Sequence, residues 1–119
     1  MKKNIVKEKS FSLAMDVVKT YKYLTEEKKE YVLSKQLLRS GTAIGALIRE
    51  AEQAESKADF IHKLAISLKE ANESDYWIEL LHQSNYLVLN EYKSIQYKNL
   101  ELIRLLTSII KSTKVNLGK

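Results

Sequence analysis

Cysteine and proline are absent from the 119 residues, and glycine occurs three times. Without cysteine there is neither a disulfide framework nor a thiolate metal site. Without proline, and with so few glycines, little in the chain can break a helix once it has started. Long uninterrupted helices follow. Long apolar runs are missing too. No stretch approaches the ~20 uncharged residues that a membrane span requires. The basic start, Met1 to Lys9, leads into no apolar segment of signal-peptide kind. The expected location is the cytoplasm, with no membrane partner.

What the chain does have is helical periodicity, clearest in one stretch from Leu33 to Ala51. Apolar or small residues fall at Leu33, Leu37, Ser40, Ile44, Leu47, Ala51 and Ala54, alternating steps of four and three, as on a bundle helix. Beside them run Leu38, Gly41, Gly45 and Ile48. Two glycines four apart cost a soluble helix about 2 kcal/mol against alanine, which points to another backbone coming close at Gly41 and Gly45, inside the bundle or between subunits.

The rest of the chain reads as one domain, 1–119, with three more helices. The four are expected at about 10–24, 28–55, 57–86 and 91–111, with basic tails at both ends. Ser10 is the expected N-cap of the first helix and Thr25 that of the second. Ser56 with Asp59 forms a capping box for the third. Asn90 is a candidate cap for the fourth. Phe11, Ala14, Val17, Val18, Tyr21 and Leu24 give the first helix its expected core face. The fold class is all-α, and short connections imply an up-and-down four-helix bundle.

Net charge is +5 and unevenly spread. Residues 1–25 hold six lysines against Glu8 and Asp16, and residues 91–119 hold six basic groups against Glu91 and Glu101. The middle of the chain is slightly acidic. If the first and fourth helices are antiparallel neighbours, the fold gathers Lys2, Lys3, Lys7 and Lys9 with Lys111 and Lys114 at one end. Those six are the candidate phosphate contacts for RNA or DNA, the alternative being that they only keep the protein soluble. No stacking motif or recognition helix accompanies them, so binding through them is expected to be sequence-poor and salt-dependent.

Three segments taken together are more specific: Leu33 to Ala51, Ser56 to Leu64, and Ser67 to Leu81. They resemble the bacterial four-helix-bundle family encoded by intervening sequences in 23S rRNA genes, which is related to the accessory variability determinant of diversity-generating retroelements. The resemblance implies an antiparallel bundle assembling into a barrel-like homopentamer. For the retroelement relatives it implies a basic surface that contacts nucleic acid and a reverse transcriptase. Many relatives carry Asn where this chain has Leu47, Ser where it has Ala43, and a proline before the second helix that is lacking here.

The remaining chemistry is sparse. Asp59 with His62 and Glu79 with His82 both have carboxylate-x-x-His spacing. They lie about 30 Å apart on one helix and cannot share a metal pair within a chain. No catalytic group, metal or cofactor is predicted. Glu70, Glu73 and Asp75 cluster near Tyr76 and Trp77, where an exposed acidic face is expected, the alternative being a polar contact to Arg39 or Arg49 of a neighbouring subunit. Trp77 is either an assembly anchor or core. The expected function is that of a non-enzymatic, nucleic-acid-binding oligomeric platform. The alternative is a protein–protein scaffold that recruits an enzyme such as a reverse transcriptase.

Overall fold

In the computed structural model, residues 2–117 are described, with side chains from 5 to 116. Four helices, α1 (Lys2–Glu26), α2 (Leu33–Glu52), α3 (Lys57–Gln83) and α4 (Leu89–Leu117), make an all-α fold with no strand among the described residues. They pack side by side in a body of 51 × 21 × 21 Å. The α2–α3 contact is the most extensive and the α1–α4 contact the least. No helix among the described residues is long and apolar enough to cross a membrane.

Each helix buries a stripe with steps of three and four. On α3 it is Leu64, Ser67, Ala71, Ser74, Ile78 and Leu81, and on α2 it is Ser34, Leu37, Gly41, Ile44, Ile48 and Ala51, with Ser40 beside it. On α4 it is Ile95, Asn99, Leu102, Leu106 and Ile110. The α2 stripe therefore runs one residue away from several expected seam positions. Gly41 and Ile48 are inside, while Leu33 and Leu47 are only partly covered.

Small polar residues share these stripes, and each buried hydroxyl finds an acceptor, as burial demands. Ser67 donates to the Ile44 carbonyl at 2.9 Å and Ser74 to Ser40 Oγ at 2.9 Å, tying α3 to α2. Asn99 Nδ2 donates to the Ala71 carbonyl at 2.9 Å, tying α4 to α3.

Every helix end except the start of α3 differs from the sequence expectation, and α2 and α3 stop at Glu52 and Gln83, each three residues early. α1 starts at Lys2, not near residue 10, and its last turn reaches Glu26. Val6 is buried, so the core stripe continues through residues expected to form a loose tail. Ser10 does not cap. It lies buried mid-helix, its hydroxyl donating to the Lys7 carbonyl at 2.8 Å. Thr25 does not cap α2 either, because its hydroxyl turns back to the Tyr21 carbonyl at 2.9 Å. α2 begins at Leu33 rather than 28, which makes it the shortest of the four at 20 residues.

The α2 cap is Glu30. The chain turns through Lys29 at φ 55° and brings the Glu30 carboxylate onto the N–H groups of Val32, Leu33 and Ser34 at 3.1, 2.9 and 2.7 Å. Three orphan donors of the helix start are thus satisfied by one buried side chain. At the α3 start, Ser56 Oγ accepts from Asp59 N–H at 3.0 Å, and Asp59 Oδ2 accepts from Glu55 N–H at 3.3 Å, a capping box displaced by one residue. The α3–α4 turn pivots on Asn85 in the left-handed region, φ 67°, with Leu87 buried behind it. Asn90 then falls inside α4 rather than before it, and α4 continues past Lys111 to Leu117.

Candidate interaction surfaces

The lysines singled out in the sequence do not act as one group. Lys7 Nζ is 3.1 Å from Glu52, and Lys9 Nζ is 3.2 Å from Glu101. Their positive charge is answered by carboxylates of α2 and α4. Lys98, which had no assigned role, pairs with Asp16 at 2.6 Å and so links α4 to α1. Lys111 and Lys114 lie exposed on the last turns of α4 and make no ion pair among the described residues. The side chains of Lys2 and Lys3 lie outside the described residues.

Arg39, on α2, meets two of the three acids within its own chain, not in a neighbouring subunit, so this is not a free acidic face. It contacts Glu70 at 3.3 Å and also Glu73. Glu73 in addition accepts from Trp77 Nε1 at 3.0 Å. The Trp77 N–H and then the Arg39 guanidinium hold the Glu73 carboxyl below its ordinary value. Trp77 is partly buried against the core, with Tyr76 edge-on to it at 5.0 Å. Arg39, Glu70, Glu73 and Trp77 are therefore one intrachain cluster bridging α2 and α3.

Arg49 does not join that cluster. Its guanidinium lies over the Phe11 ring at 5.4 Å, on the other flank of α2. Phe11, placed in the core by periodicity, is 54% exposed, and Val18 is also exposed. The residue buried in their place is Leu13. With Met15, Phe11 and Val18 form an outward apolar stripe on α1 at i, i+4 and i+7. A shallow groove beside it is floored by Ala14, Thr42, Gly45 and Ala46. Gly41 and Gly45 both face α1. A β-carbon on Gly41 would meet Val17, and one on Gly45 would meet Ser10. This close approach lies inside the chain.

The histidine pairs are occupied locally. His62 is exposed, and the Asp59 carboxylate serves the α3 cap. His82 stacks on Tyr92 at 4.0 Å, and its Nδ1 lies 3.0 Å from the Leu87 carbonyl. Glu79 accepts from Tyr92 Oη at 2.7 Å and from Gln83 at 3.1 Å. No grouping of three metal-ligating side chains occurs among the described residues. Asp75 and Glu79 stand out in the sequence for other groupings, but nothing there joins them to Tyr92, Gln96 and Asn99 as a line between α3 and α4. Its only visible sign is Asn99, at a core position of the α4 stripe.

The architecture defines an all-α protein of four packed helices. The family described as 23S rRNA-intervening sequence protein matches residues 2–108, and this chain belongs to it. The chain is also similar to a protein with unknown function from the S23 ribosomal protein family of Bacteroides thetaiotaomicron, solved as a crystal structure. The two share 58% identity with a TM-score of 0.92, over 93% of this chain and 99% of that one. None of the curated proteins matches this chain.

Proposed function

We propose that this chain is a non-enzymatic, basic oligomeric platform that binds nucleic acid through its phosphates. The observation that carries the proposal is the exposure of Lys111 and Lys114 on the last turns of α4, where neither makes an ion pair among the described residues. An antiparallel, up-and-down bundle sets these turns beside the start of α1, where Lys2 and Lys3 stand. The ion pairs Lys7–Glu52 and Lys98–Asp16 support that arrangement. The contact surface is narrower than the sequence suggests, because Lys7 and Lys9 are neutralised within the chain. One chain of charge +5 binds weakly, whereas a homopentamer, as the family resemblance implies, repeats the basic end five times, and repeated weak contacts gain through multivalency.

The test is light scattering of the purified protein combined with RNA titration at two salt concentrations. A pentamer whose affinity falls steeply with salt is expected. Lys111→Ala with Lys114→Ala should flatten the log–log slope by about 1.4 for each subunit in contact with single-stranded RNA. Lys7→Ala with Lys9→Ala should change it far less. Equal slopes for the two double variants would reject the assignment.

A second reading, a scaffold that recruits a protein partner such as a reverse transcriptase, is favoured by the outward apolar stripe of Phe11, Met15 and Val18. A pentamer indifferent to RNA would turn the choice toward it.

A further inference from the structure

Two side-chain oxygens between α3 and α4 are sealed from solvent without a donor, Asp75 Oδ1 and Asn99 Oδ1. Asn99 is 0% exposed, and its amide nitrogen is committed to the Ala71 carbonyl. Asp75 stands one helical turn beyond Ala71, and helical side chains lean back over the turn that precedes their own Cα. The Asp75 carboxyl is therefore carried over the turn on which the Asn99 amide docks. Both oxygens are left without a hydrogen at this seam, a state that buried polar groups rarely tolerate.

We propose that Asp75 is held protonated and donates its O–H to the side-chain carbonyl of Asn99, so that a carboxyl–amide pair joins α3 to α4 and opens when the proton leaves.

The surroundings favour the neutral acid. On α3 the charged group felt by Asp75 is Glu79, one turn on and of the same sign. On α4 the titratable neighbour is Tyr92, whose hydroxyl hydrogen is given to Glu79 while its oxygen accepts from Gln96 at 2.8 Å. His82 lies flat on the Tyr92 ring, with Nδ1 at the Leu87 carbonyl. On α2, which packs on the other flank of α3, the cation Arg39 is held by Glu70 and Glu73. Burial, and then the Glu79 charge, push the Asp75 carboxyl upward from its ordinary value. When Asp75 ionises, the Asn99 carbonyl loses its donor and faces a negative oxygen, so the amide must shift to offer a hydrogen of Nδ2 to the carboxylate instead. One proton thus selects between two hydrogen-bond sets.

A carboxyl raised in the folded state stabilises it fully below the unfolded value, and that contribution is lost as pH rises through the folded one. The α3–α4 seam should therefore weaken toward higher pH. The experiment is an NMR titration of the Asp75 carboxyl carbon in the natural chain over pH 3–8, with unfolding of the natural chain and of Asp75→Asn followed over the same range. The expected midpoint lies above the free aspartate value of about 3.9. Each unit of elevation should appear as a tenfold loss in the folding equilibrium constant relative to Asp75→Asn, whose amide donates at every pH. A midpoint at or below about 3.9 would mean that Asn99 already turns its amide hydrogens to a carboxylate, and overturns the proposal. Parallel pH profiles for the two proteins do the same. If Asp75→Asn fails to fold, the titration of the natural chain decides alone.

Discussion

Gly41 on α2 and Val17 on α1 are so close that a β-carbon added to the glycine would stand 2.8 Å from Val17 Cγ2 and 3.1 Å from Cγ1. Gly45, one turn on, leaves slightly more room, with Ser10 Oγ at 3.1 Å from the added carbon. The two glycines should therefore respond to alanine with different sign. Alanine returns about 1 kcal/mol of helix propensity at either site. At Gly41 the obstacle is a buried, β-branched side chain that is stiff about χ1 and cannot swing away. The overpacking penalty of about 1–3 kcal/mol then exceeds the gain, and Gly41→Ala is destabilising. At Gly45 the obstacle is one hydroxyl, which can shift by a few tenths of an ångström, so Gly45→Ala is neutral or slightly stabilising. Gly41→Leu should disrupt folding outright. Thermal melts of the three variants check this, and a Gly41→Leu protein of unchanged melting and size would disprove the close approach.

Glu30 is the cap that α2 depends on, and its replacement should be felt both in stability and in pH response. Burial alone would raise its carboxyl, but the hydrogen bonds from the Leu33, Ser34 and Val32 N–H groups outweigh that and lower it. Glu30→Ala leaves these groups without their acceptor at a buried helix start, and the loss is expected at about 1–2 kcal/mol. The sign with pH follows from a depressed folded value. The contribution is fully present above the unfolded glutamate value of about 4.3 and disappears as pH falls through the folded one. Denaturant unfolding between pH 3 and 7 should show a smaller acid loss in Glu30→Gln than in the natural chain.

Much of this could be read from residue order, and the parts that could not share a cause. Absence of proline and steps of three and four mark four helices and much of the core, including Leu37, Ile44, Leu64, Ile78 and Leu102. The ends are less legible because they are set by single polar atoms. Thr25 is the cap that residue type suggests, and only the turn at Lys29 brings Glu30 to the helix start in its place. Rotation of a helix about its axis is also poorly fixed by hydrophobicity. On α1, Phe11 and Leu13 compete for the core, and Leu13 is the one buried. Buried Ser67, Ser74 and Asn99 escaped notice because polar residues in a stripe read as interruptions. The charges were visible as counts but not as pairs, so Lys7 and Lys9 looked free.

In the nucleic-acid platform reading, where the apolar stripe is taken up by self-assembly and not by a protein partner, assembly should be governed by the α1 flank, not by the Arg39 cluster. Arg39 is half exposed, and its pairs with Glu70 and Glu73 are screened by solvent, so Arg39→Ala should cost no more than about 1 kcal/mol. Arg49 covers Phe11 on the apolar stripe, where its aliphatic stem and its cation both add to the surface offered. Arg49→Ala is expected to weaken the oligomer more than Lys57→Ala does, and Phe11→Asp with Met15→Lys should dissociate it while the helices remain folded. Sedimentation velocity over a concentration series measures this. Equal oligomer stability for Arg49→Ala and Lys57→Ala rejects the role given to this flank.

The buried hydroxyl pair of Ser40 and Ser74 makes a different kind of prediction, because the two substitutions should not add. Ser74 donates to Ser40 Oγ, and Ser40 in turn donates to the Gln36 carbonyl at 3.0 Å, so the chain of bonds runs in one direction. Ser40→Ala removes the acceptor and leaves the Ser74 hydroxyl orphaned at a site that is 0% exposed, a loss of about 1–3 kcal/mol. Ser74→Ala removes only a donor. Ser40 keeps its own bond to Gln36, and the loss should stay near 1 kcal/mol. With both replaced, two methyl groups of nearly the same size face each other and nothing is left unsatisfied. The double variant should be more stable than Ser40→Ala alone, giving a coupling energy of about 1 kcal/mol or more in a double-mutant cycle read by denaturant unfolding. Strict additivity would mean that the two hydroxyls do not bond across the α2–α3 contact.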